Sequence, residues 1–378
     1  MNTIPEAASY TWPEHGSALQ PSERHVVGTL ISQANTARKS IGSPGANYHW
    51  DFALLDKIIS FRAQDMAISV EVGLTLDKLK TLVENEKLWL PLDTPQGGDI
   101  LLADYLAHDH SLSWLSHHHG TLHDWAMGLT AVDNNGHEVN SGALVLKNVA
   151  GYQLAPLYIG ARMALGPVLE VSFRLLPMPT PVTLVHWRAD DPSTLMAACQ
   201  HVTQQCYPSG RGDPWEGFRI TRLDSQWRVD GWTLFPSGQV TEWTQKFKSL
   251  TSESITESEI PPREKQIACH QPELLIQVRP TQVPELLVTL HSFKMDLICY
   301  PKAGAILLGP VDPTGIEVLQ REILNPIAAK DGLVKVMTAE GSIDILNATK
   351  ASAESAIMAR VKSILDPEGV FGPLPEIL

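Results

Sequence analysis

The sequence lacks the features that mark several classes of protein. Only four cysteines occur in 378 residues, and they lack the C-x-x-C spacing of zinc sites. No apolar run is long enough to cross a bilayer, and residues 1–8 have neither the basic nor the apolar part of a signal peptide. Basic residues are scarce, 29 against 42 acidic ones, which argues against nucleic acid as a partner. These absences predict a cytoplasmic protein with reduced thiols.

What is present predicts two domains that mix helices and strands. The length exceeds that of one typical domain, and a 43% apolar fraction is enough for real cores. Apolar residues at helical spacing predict helices at 21–36 and from residue 75 onward, and alternating residues predict strands at 66–72 and 169–175, with a short strand at 39–41. The turn Asp133-Asn-Asn-Gly136, between strands expected at 124–132 and 137–146, predicts a hairpin. The proline cluster at 177–181 is the best candidate boundary between domains.

The second half of the chain has the same mixed pattern. Short alternating stretches, such as residues 182–187 and 227–234, predict strands, and residues 192–205 predict a helix. Residues 246–264 are rich in Ser, Glu and Pro and predict a mobile loop. Residues 351–365 predict an amphipathic helix near the end of the chain.

One segment has a composition that an ordinary buried strand does not need. Residues 145–154, VLKNVAGYQL, place Lys147–Asn148 inside an apolar run, ahead of a Gly151–Tyr152 step. Gly160 and Gly166 follow before the next strand begins. Glycines at this density usually mean that the backbone passes close to a bulky neighbour. The pattern therefore predicts that this stretch of main chain lies against something large.

The hexapeptide KNVAGY, the spaced glycines and Leu165-Gly-Pro-Val168 resemble a segment of the FAD-binding subunits of bacterial glycolate oxidases. Those subunits belong to the flavoprotein superfamily of vanillyl-alcohol oxidase and p-cresol methylhydroxylase. The resemblance implies an α+β fold with a two-lobed FAD-binding PCMH-type domain at residues 17–178. A smaller α+β cap domain at 179–345 and a C-terminal helix and tail at 346–378 that return to the flavin domain would complete it.

The same resemblance implies which residues hold FAD. Main-chain N–H groups bind a diphosphate at close range, so side chains there must be small or absent. The implied cofactor-binding residues are Gly42, Ser43, Gly45, Ala46, Asn47, Pro91, Gly97, Gly98, Gly120, Asp124, Lys147, Asn148, Gly151, Tyr152, Gly160, Gly166 and Val168. Two simpler interpretations stay open: residues 42–47 are an ordinary turn, and Asp124 is a carboxylate that caps a turn.

The second phosphate loop departs from the family pattern. Ala103–Asp104 stands where paired glycines are expected, and a carboxylate at that place repels a diphosphate. A shifted alignment would let Gly97–Gly98 serve instead. The departure predicts that FAD binding is retained in a weakened or displaced form, or lost.

A histidine-rich stretch offers a different chemistry. Its members, with two nearby aspartates, are numerous enough for a zinc-like site: His108, Asp109, His110, His117, His118, His119, His123 and Asp124. Their spacing matches no standard motif, and in extended backbone His117 and His119 share a face that His118 does not. A solvated polar loop is the favoured interpretation, and metal binding is the alternative.

The resemblance implies an FAD-dependent oxidoreductase that supports the oxidation of a 2-hydroxy acid by hydride transfer to flavin. Its partners would be a sister flavoprotein and iron–sulfur subunits of a glycolate-oxidase-like complex, which would bring a cytoplasmic chain to the inner membrane. No acid–base residue stands out, and the arginines at 211, 219, 222 and 228 are scattered. The chain would then assist a sister flavoprotein. Two alternatives remain: a flavin-free scaffold subunit and a metal-binding protein built on residues 108–123.

Overall fold

The computed structural model describes residues 14, 16–42, 47–95, 97–142, 154–206, 213–245, 251–259, 261–263, 274–293, 295–309, 319–324, 333–338, 341–344, 353–372 and 374. Two antiparallel sheets, of five and nine strands, dominate this part of the chain. Helices accompany both sheets, so the fold is α+β, as the sequence predicts.

Helices and strands follow one another along the whole chain. The helices are α1 (Arg24–Ala37), α2 (Leu76–Asn85), α3 (Leu102–Ala107), α4 (Leu122–Trp125), α5 (Ala155–Tyr158), α6 (Pro192–Cys206), α7 (Ser237–Gln245), α8 (Val283–His291) and α9 (Ala353–Leu365). Shorter helical turns lie at Ala63–Asp65, Trp114–His117, Pro280–Gln282 and Gln320–Leu324.

The strands are mostly four to eight residues long, and four of those described have only two residues. They are β1 (Ala18–Leu19), β2 (His49–Trp50), β3 (Ile58–Arg62), β4 (Ala67–Glu71), β5 (Leu88–Trp89), β6 (Ala126–Val132), β7 (Glu138–Gly142), β8 (Val168–Arg174), β9 (Leu176–Pro177), β10 (Val182–Ala189), β11 (Gly217–Leu223), β12 (Gln226–Thr233), β13 (Thr251–Ser258), β14 (Leu274–Gln277), β15 (Leu297–Tyr300), β16 (Ala305–Leu308), β17 (Leu333–Thr338) and β18 (Gly341–Asp344).

Helices α1 and α2 form where the apolar spacing predicts them. Helix α1 buries one stripe of residues, Val27, Leu30, Ile31 and Ala34. Thr75 caps α2, because its side-chain oxygen accepts a hydrogen bond from the Lys78 N–H. Both helices turn their buried stripes toward one apolar core.

The five-stranded sheet has the order β3-β4-β8-β6-β7, and all its pairs are antiparallel. Strands β6 and β7 form the predicted hairpin around 133–136, where the Gly136 N–H donates to the Asp133 carbonyl. The apolar faces of β4 and β8 pack against α1 and α2. We call this sheet with α1–α5 the five-stranded layer.

The nine-stranded sheet has the order β13-β10-β12-β11-β15-β16-β14-β17-β18, and its pairs are also antiparallel. With α6–α8 it encloses a separate core that includes Trp187, Ile220 and Trp227. We call this part the nine-stranded layer.

Strand β13 contradicts the prediction of a mobile loop at 246–264. Residues 251–258 pair with β10 along an edge of the nine-stranded sheet, with Val182 opposite Ser258. Edge pairing uses main-chain groups and tolerates polar side chains, so composition alone is a poor guide at such a position. The loop prediction was wrong for these residues.

Two other segments depart from or refine the predictions. The strand predicted at 39–41 is reduced to bridges from Ile41 to Tyr48 and to Phe371. Helix α9 is followed by a tight turn in which the Asp366 carboxylate accepts hydrogen bonds from the N–H groups of Val370 and Phe371. Phe371 is buried in the core of the five-stranded layer.

A third apolar cluster joins the two layers. From the five-stranded side it contains Trp89, Trp114 and Leu115, and from the nine-stranded side Val182, Trp232, Ile298, Tyr300 and Leu307. All of these side chains are at most 4% exposed. We call this cluster the seam. Among the residues described, no helix combines the length and the apolar character needed to span a membrane.

Candidate functional site

The loop predicted to bind phosphate first is closed at its base by Asn47. The Asn47 side-chain oxygen accepts a hydrogen bond from the Ser40 N–H at 2.8 Å, and the Asn47 N–H donates to the Ser40 hydroxyl at 3.0 Å. The Gly42 N–H donates to the Tyr48 carbonyl. Ser43, Gly45 and Ala46 lie outside the described residues. These hydrogen bonds therefore hold the two ends of the loop together. The residues between the ends, 43–46, are Ser, Pro, Gly and Ala in sequence.

A cavity of about 470 Å³ adjoins this loop. Its lining includes two cations, Arg38 and Lys39, one carboxylate, Glu368, and the polar residues Ser40 and Asn47. Arg38 ends α1 in the left-handed conformation, which turns the chain toward the loop. The two cations favour an anion near the first loop, so the residues here fit one side of a diphosphate.

The place expected for the second phosphate loop is occupied by α3. The N–H groups of Leu102 and Ala103 donate to the carbonyls of Leu74 and Val72 at 2.9 and 2.8 Å. Asp104 lies in the first turn of α3 with its side chain exposed. Partial desolvation raises the pKa of Asp104, His108 opposes this, and Asp51 adds to it. These residues do not fit a diphosphate held by main-chain donors, because the donors are taken and a carboxylate is present.

Gly160 lies beside the end of α3. Its N–H donates to the Leu106 carbonyl at 2.9 Å, and the Arg162 N–H donates to the Ala107 carbonyl at 2.9 Å. Gly160 has a φ of +76°, a conformation that glycine adopts without strain. Gly160 therefore lies next to α3, the helix that replaces the expected phosphate loop, and main-chain hydrogen bonds join the two segments.

Gly120 and Asp124 meet in a capping turn. The Thr121 N–H donates to the Asp124 carboxylate at 2.9 Å, at the start of α4. A Cβ on Gly120 would overlap this carboxylate, and Gly120 has a φ of +79°. The observed contact is the turn-capping one that the sequence left open as the simpler interpretation.

Gly42 and Gly166 come together at the turn after α9. A Cβ placed on Gly42 would lie 3.4 Å from the Gly372 nitrogen, and a Cβ placed on Gly166 would lie 3.4 Å from the Phe371 ring. Gly166 has a φ of +121°, and a Cβ there would overlap the Val132 carbonyl oxygen. Val168 begins β8 directly after it, opposite Ala131. The C-terminal turn therefore unites two predicted site regions that are far apart in sequence.

The loop with Pro91, Gly97 and Gly98 is anchored by a buried ion pair. The Lys80 ammonium lies 3.1 Å from the Asp93 carboxylate, and both side chains are 3% exposed. The Tyr105 hydroxyl donates to the Asp93 carbonyl at 3.1 Å, which ties the loop to α3 as well. Sequence reasoning missed this pair. Its signal was Lys80 on the apolar face of α2, between Leu79 and Val83.

The strongest sequence signal lies outside the described residues. The structure does not describe residues 143–153, which include Lys147, Asn148, Gly151 and Tyr152. The described chain resumes at Leu154, whose N–H donates to the Ser141 hydroxyl at 2.7 Å. The segment therefore runs from the end of β7 to the start of α5.

Two histidines of the histidine-rich stretch face carboxylates of the nine-stranded layer. His117 Nε2 lies 2.9 Å from Asp213 Oδ2, and Lys302 Nζ lies 2.7 Å from the same oxygen. His119 Nε2 lies 3.0 Å from Glu216 Oε2. His117 and His119 thus both face carboxylates of this layer, but residues 114–117 form a helical turn, so the extended backbone assumed in the prediction is absent. Both border the seam, where the His119 ring meets Trp89 edge-on at 4.8 Å.

Burial determines the charge state of His117. Burial lowers its pKa, and Asp213 opposes the shift without overcoming it. Desolvation works to raise the pKa of Asp213, but His117 and Lys302 hold it below its usual range. Asp213 is then a carboxylate that can only accept, so neutral His117 carries its proton on Nε2. Its Nδ1 is buried and has no hydrogen-bond partner.

The remaining histidines have separate surroundings. His123 Nε2 lies 3.6 Å from the Asp109 carboxylate, and the rings of His108 and His110 stack at 5.3 Å. Burial lowers the pKa of His110 to about 4. Within the described part of the chain, no three His, Cys, Asp or Glu side chains converge as a metal site requires. The interpretation as a fully solvated loop fails for His117, which is buried.

Three cations of the nine-stranded layer have partners within the protein. Arg219 Nε donates to Asp230 at 3.0 Å, and its guanidinium covers the Trp114 ring. Arg222 donates to the carbonyls of Leu290 and His291 at 3.3 and 3.2 Å. Lys302 is paired with Asp213. These three side chains therefore stabilise the layer and its seam.

Several known proteins have sequences that resemble part of this chain. The chain is 26% identical over 155 residues to glycolate oxidase subunit GlcE of Escherichia coli, covering 40% of this chain and 43% of that protein. It is 30% identical over 129 residues to glycolate oxidase subunit GlcD of Bacillus subtilis, covering 34% and 27%. The mitochondrial D-lactate dehydrogenase [cytochrome] of Arabidopsis thaliana matches with 30% identity over 129 residues, 34% and 22%. The chain spans less than half the length of these relatives.

The fold has a solved counterpart. A structure of alkyldihydroxyacetonephosphate synthase superimposes with a TM-score of 0.63 at 13% identity, covering 93% of this chain and 76% of that one. At this identity the likeness concerns the fold alone. No protein-family model matches the chain.

Proposed function

We propose, from the premise that the chain belongs to the PCMH-type flavoprotein superfamily of vanillyl-alcohol oxidase, that it is a subunit of an FAD-dependent 2-hydroxy-acid oxidoreductase. The observation that carries this proposal is the chemistry in the relatives' names. Glycolate, D-lactate and D-2-hydroxyglutarate are all 2-hydroxy acids. The proposal attaches to this chain the substrate class that these relatives share.

FAD is the cofactor we propose, held chiefly by residues 42–47 and 147–152. Bound FAD would supply the acceptor for a hydride from the substrate's α-carbon. The chain's own contribution would be to bind the diphosphate beside Arg38 and Lys39 and to exclude water around it. Helix α3 would contribute no donor, because Leu102 and Ala103 already donate within the protein.

A division of labour with partner subunits follows from the paired cations. A 2-hydroxy acid carries a carboxylate, and its binding needs a cation that is not neutralised. Arg219 and Lys302 each face a protein carboxylate. We therefore propose that a sister flavoprotein turns over the acid, that iron–sulfur subunits take the electrons, and that this chain supports them.

The proposed organisation keeps the boundaries expected from sequence. The FAD-binding domain would occupy residues 17–178, the cap domain 179–345, and the C-terminal segment 346–378. The chain would work in the cytoplasm, reaching the inner membrane only through its partner subunits.

A flavin-free scaffold subunit is the second candidate, and α3 favours it. The closed contacts of Leu102, Ala103 and Gly160 and the carboxylate of Asp104 all oppose a diphosphate at that place. Such a subunit would keep the fold for assembly alone.

The visible spectrum of the purified protein separates the two candidates. Bands typical of oxidised flavin, released by denaturation as FAD, support the first. A colourless preparation that takes up no added FAD and still captures a sister flavoprotein supports the second. A colourless preparation that captures no such partner counts against both.

A substitution within the KNVAGY segment tests the placement of FAD. We expect Gly151→Val to abolish flavin retention, because a branched side chain would intrude where the main chain approaches the cofactor. We expect Lys147→Ala to weaken retention without emptying the site. FAD content per chain, measured after gel filtration, is the readout. A Gly151→Val protein that holds as much FAD as the parent would show that this backbone does not touch the cofactor.

A further inference from the structure

Arg263 is a side chain from beyond β13 that binds the five-stranded layer. Its Nη1 donates to Asp77 at 3.0 Å, and its Nη2 donates to Thr81 at 3.0 Å and to Glu84 at 2.8 Å. These partners lie four and three residues apart on α2, so one face of that helix receives the whole guanidinium. The planar fork of arginine suits such a three-point contact.

Asp77 touches a second part of the molecule as well. Its N–H donates to the Gly98 carbonyl at 2.8 Å. Its carboxylate lies so close to Gly98 that a Cβ on that glycine would overlap it. The N–H of Leu76 donates to the Ile100 carbonyl at 3.0 Å. The first turn of α2 thus contacts both Arg263 and the segment 98–100.

The segment 97–101 leads directly into α3. The first two residues of α3 are bound by the carbonyls of Leu74 and Val72, just before α2. Hydrogen bonds joined by short stretches of backbone therefore connect Arg263 through the first turn of α2 to residues 98–100 and the start of α3. Few residues therefore separate Arg263 from the start of α3.

We propose that Arg263 is a positioning residue, which couples the placement of the nine-stranded layer to the conformation of residues 97–101 through Asp77. Without Arg263, the Asp77 carboxylate would lose its charge partner, the first turn of α2 would be held less firmly, and its main-chain hydrogen bonds to Gly98 and Ile100 would open more often. The consequence for the cofactor rests on the proposed function. Since α3 stands at the place of the second phosphate loop, loosening 97–101 would change FAD affinity without touching FAD.

Hydrogen exchange tests the coupling directly. In the full chain, we expect Arg263→Ala to speed exchange about two- to fivefold in peptides covering residues 74–79 and 97–101, the loss expected for a partly exposed charge contact. Arg263→Lys keeps the charge but not the fork, and should give a smaller increase. Arg321→Ala is the matched control, because the Arg321 side chain is exposed and its ion pair within the described part of the chain is with its neighbour Glu322.

A second variant reaches the same contact from the other side. Gly98 has no positive φ, so Gly98→Ala would act through its Cβ, which displaces the Asp77 carboxylate. We expect this variant to reproduce the exchange pattern of Arg263→Ala. The double variant should add little to either, because both remove one contact.

The outcomes separate this proposal from the proposed function. Unchanged exchange in both peptides, equal acceleration in all peptides, or additive effects of the two substitutions would overturn the coupling. FAD affinity, measured by flavin fluorescence, gives the second readout and should differ between Arg263→Ala and the parent protein. If no variant and no parent protein binds FAD, the proposed cofactor fails while the exchange result still decides the coupling.

Discussion

At the residue scale, the Lys80–Asp93 pair shows how much a single buried contact fixes. It joins α2 to the 90–98 loop in a place that water does not reach. Two charges in such surroundings cost free energy, so the pair is better explained by the unique loop position that it selects than by net stabilisation.

Removing one residue of this ion pair should therefore strongly lower the stability of the protein. We expect Lys80→Met to lower the free energy of unfolding by about 3–5 kcal/mol, because Asp93 would remain charged and buried without a cation. Lys80→Met with Asp93→Asn should recover much of this loss, since no net charge is then buried. Urea unfolding followed by tryptophan fluorescence measures both.

The matched control for that experiment is on the same helix. Lys78 is exposed, so Lys78→Met should change stability by no more than about 0.5 kcal/mol. Equal losses from the Lys78 and Lys80 substitutions would show that the ion pair does not organise the loop.

At this scale the sequence indicates where glycine is required, but it does not indicate which neighbouring group imposes the requirement. Glycine at 120 and 166 is required, because each has a positive φ and an occupied Cβ position. The neighbours that impose this, Asp124 and the Val132 carbonyl, belong to the protein itself. A glycine reports that something is close, and the sequence does not distinguish a ligand from the protein's own backbone.

At the scale of elements, the short helical turn Trp114–His117 connects the layers through a histidine that titrates. The pKa of His117 is lowered by burial, so the unfolded chain binds a proton that the folded chain does not. The stability that this group contributes is complete above about pH 6.5 and is lost as the pH falls below that value. Acid should therefore weaken this connection.

A substitution isolates that contribution. We expect the parent protein to lose more stability than His117→Gln between pH 7 and pH 5, because glutamine can still donate to Asp213 but does not titrate. Unfolding free energies at each pH give the comparison. His25→Gln is the control, since the His25 side chain is 74% exposed. Parallel pH profiles for parent and His117→Gln would refute this assignment.

The elements themselves were predictable where side chains face a core. Helices α1 and α2, the hairpin of β6 and β7, and β8 follow from apolar spacing and turn residues. Strand β13 was not predictable, because its polar residues lie on an edge and pairing depends on β10. Helix α3 was not predicted either, since family likeness suggested a phosphate loop there and its apolar residues are buried by tertiary contacts.

At the scale of the whole molecule, the seam makes two separate cores depend on each other. Trp89 lies against Trp232 with ring centres 5.7 Å apart, and both side chains are almost fully buried. Each core has its own apolar cluster, and the seam is the apolar contact between them, beside polar contacts such as His117–Asp213.

Calorimetry can test that dependence. We expect Trp89→Ala to separate one unfolding transition into two, because a Trp→Ala change at a buried site costs about 3–5 kcal/mol, here in coupling between layers. Trp187→Ala is the control, since Trp187 is buried within the nine-stranded core alone. It should lower the transition temperature without separating the layers. A single transition in Trp89→Ala would mean that other contacts couple them.

The bridge from Ile41 to Phe371 has a consequence for how the protein is made on the ribosome. The base of the first loop and this β partner are very far apart along the chain, and Phe371 is translated long after Ile41. A nascent chain can form α1 and its neighbours, but it cannot complete the surroundings of Gly42 until Phe371 has left the ribosome. Assembly of the loop is thereby delayed until the C-terminal turn is available.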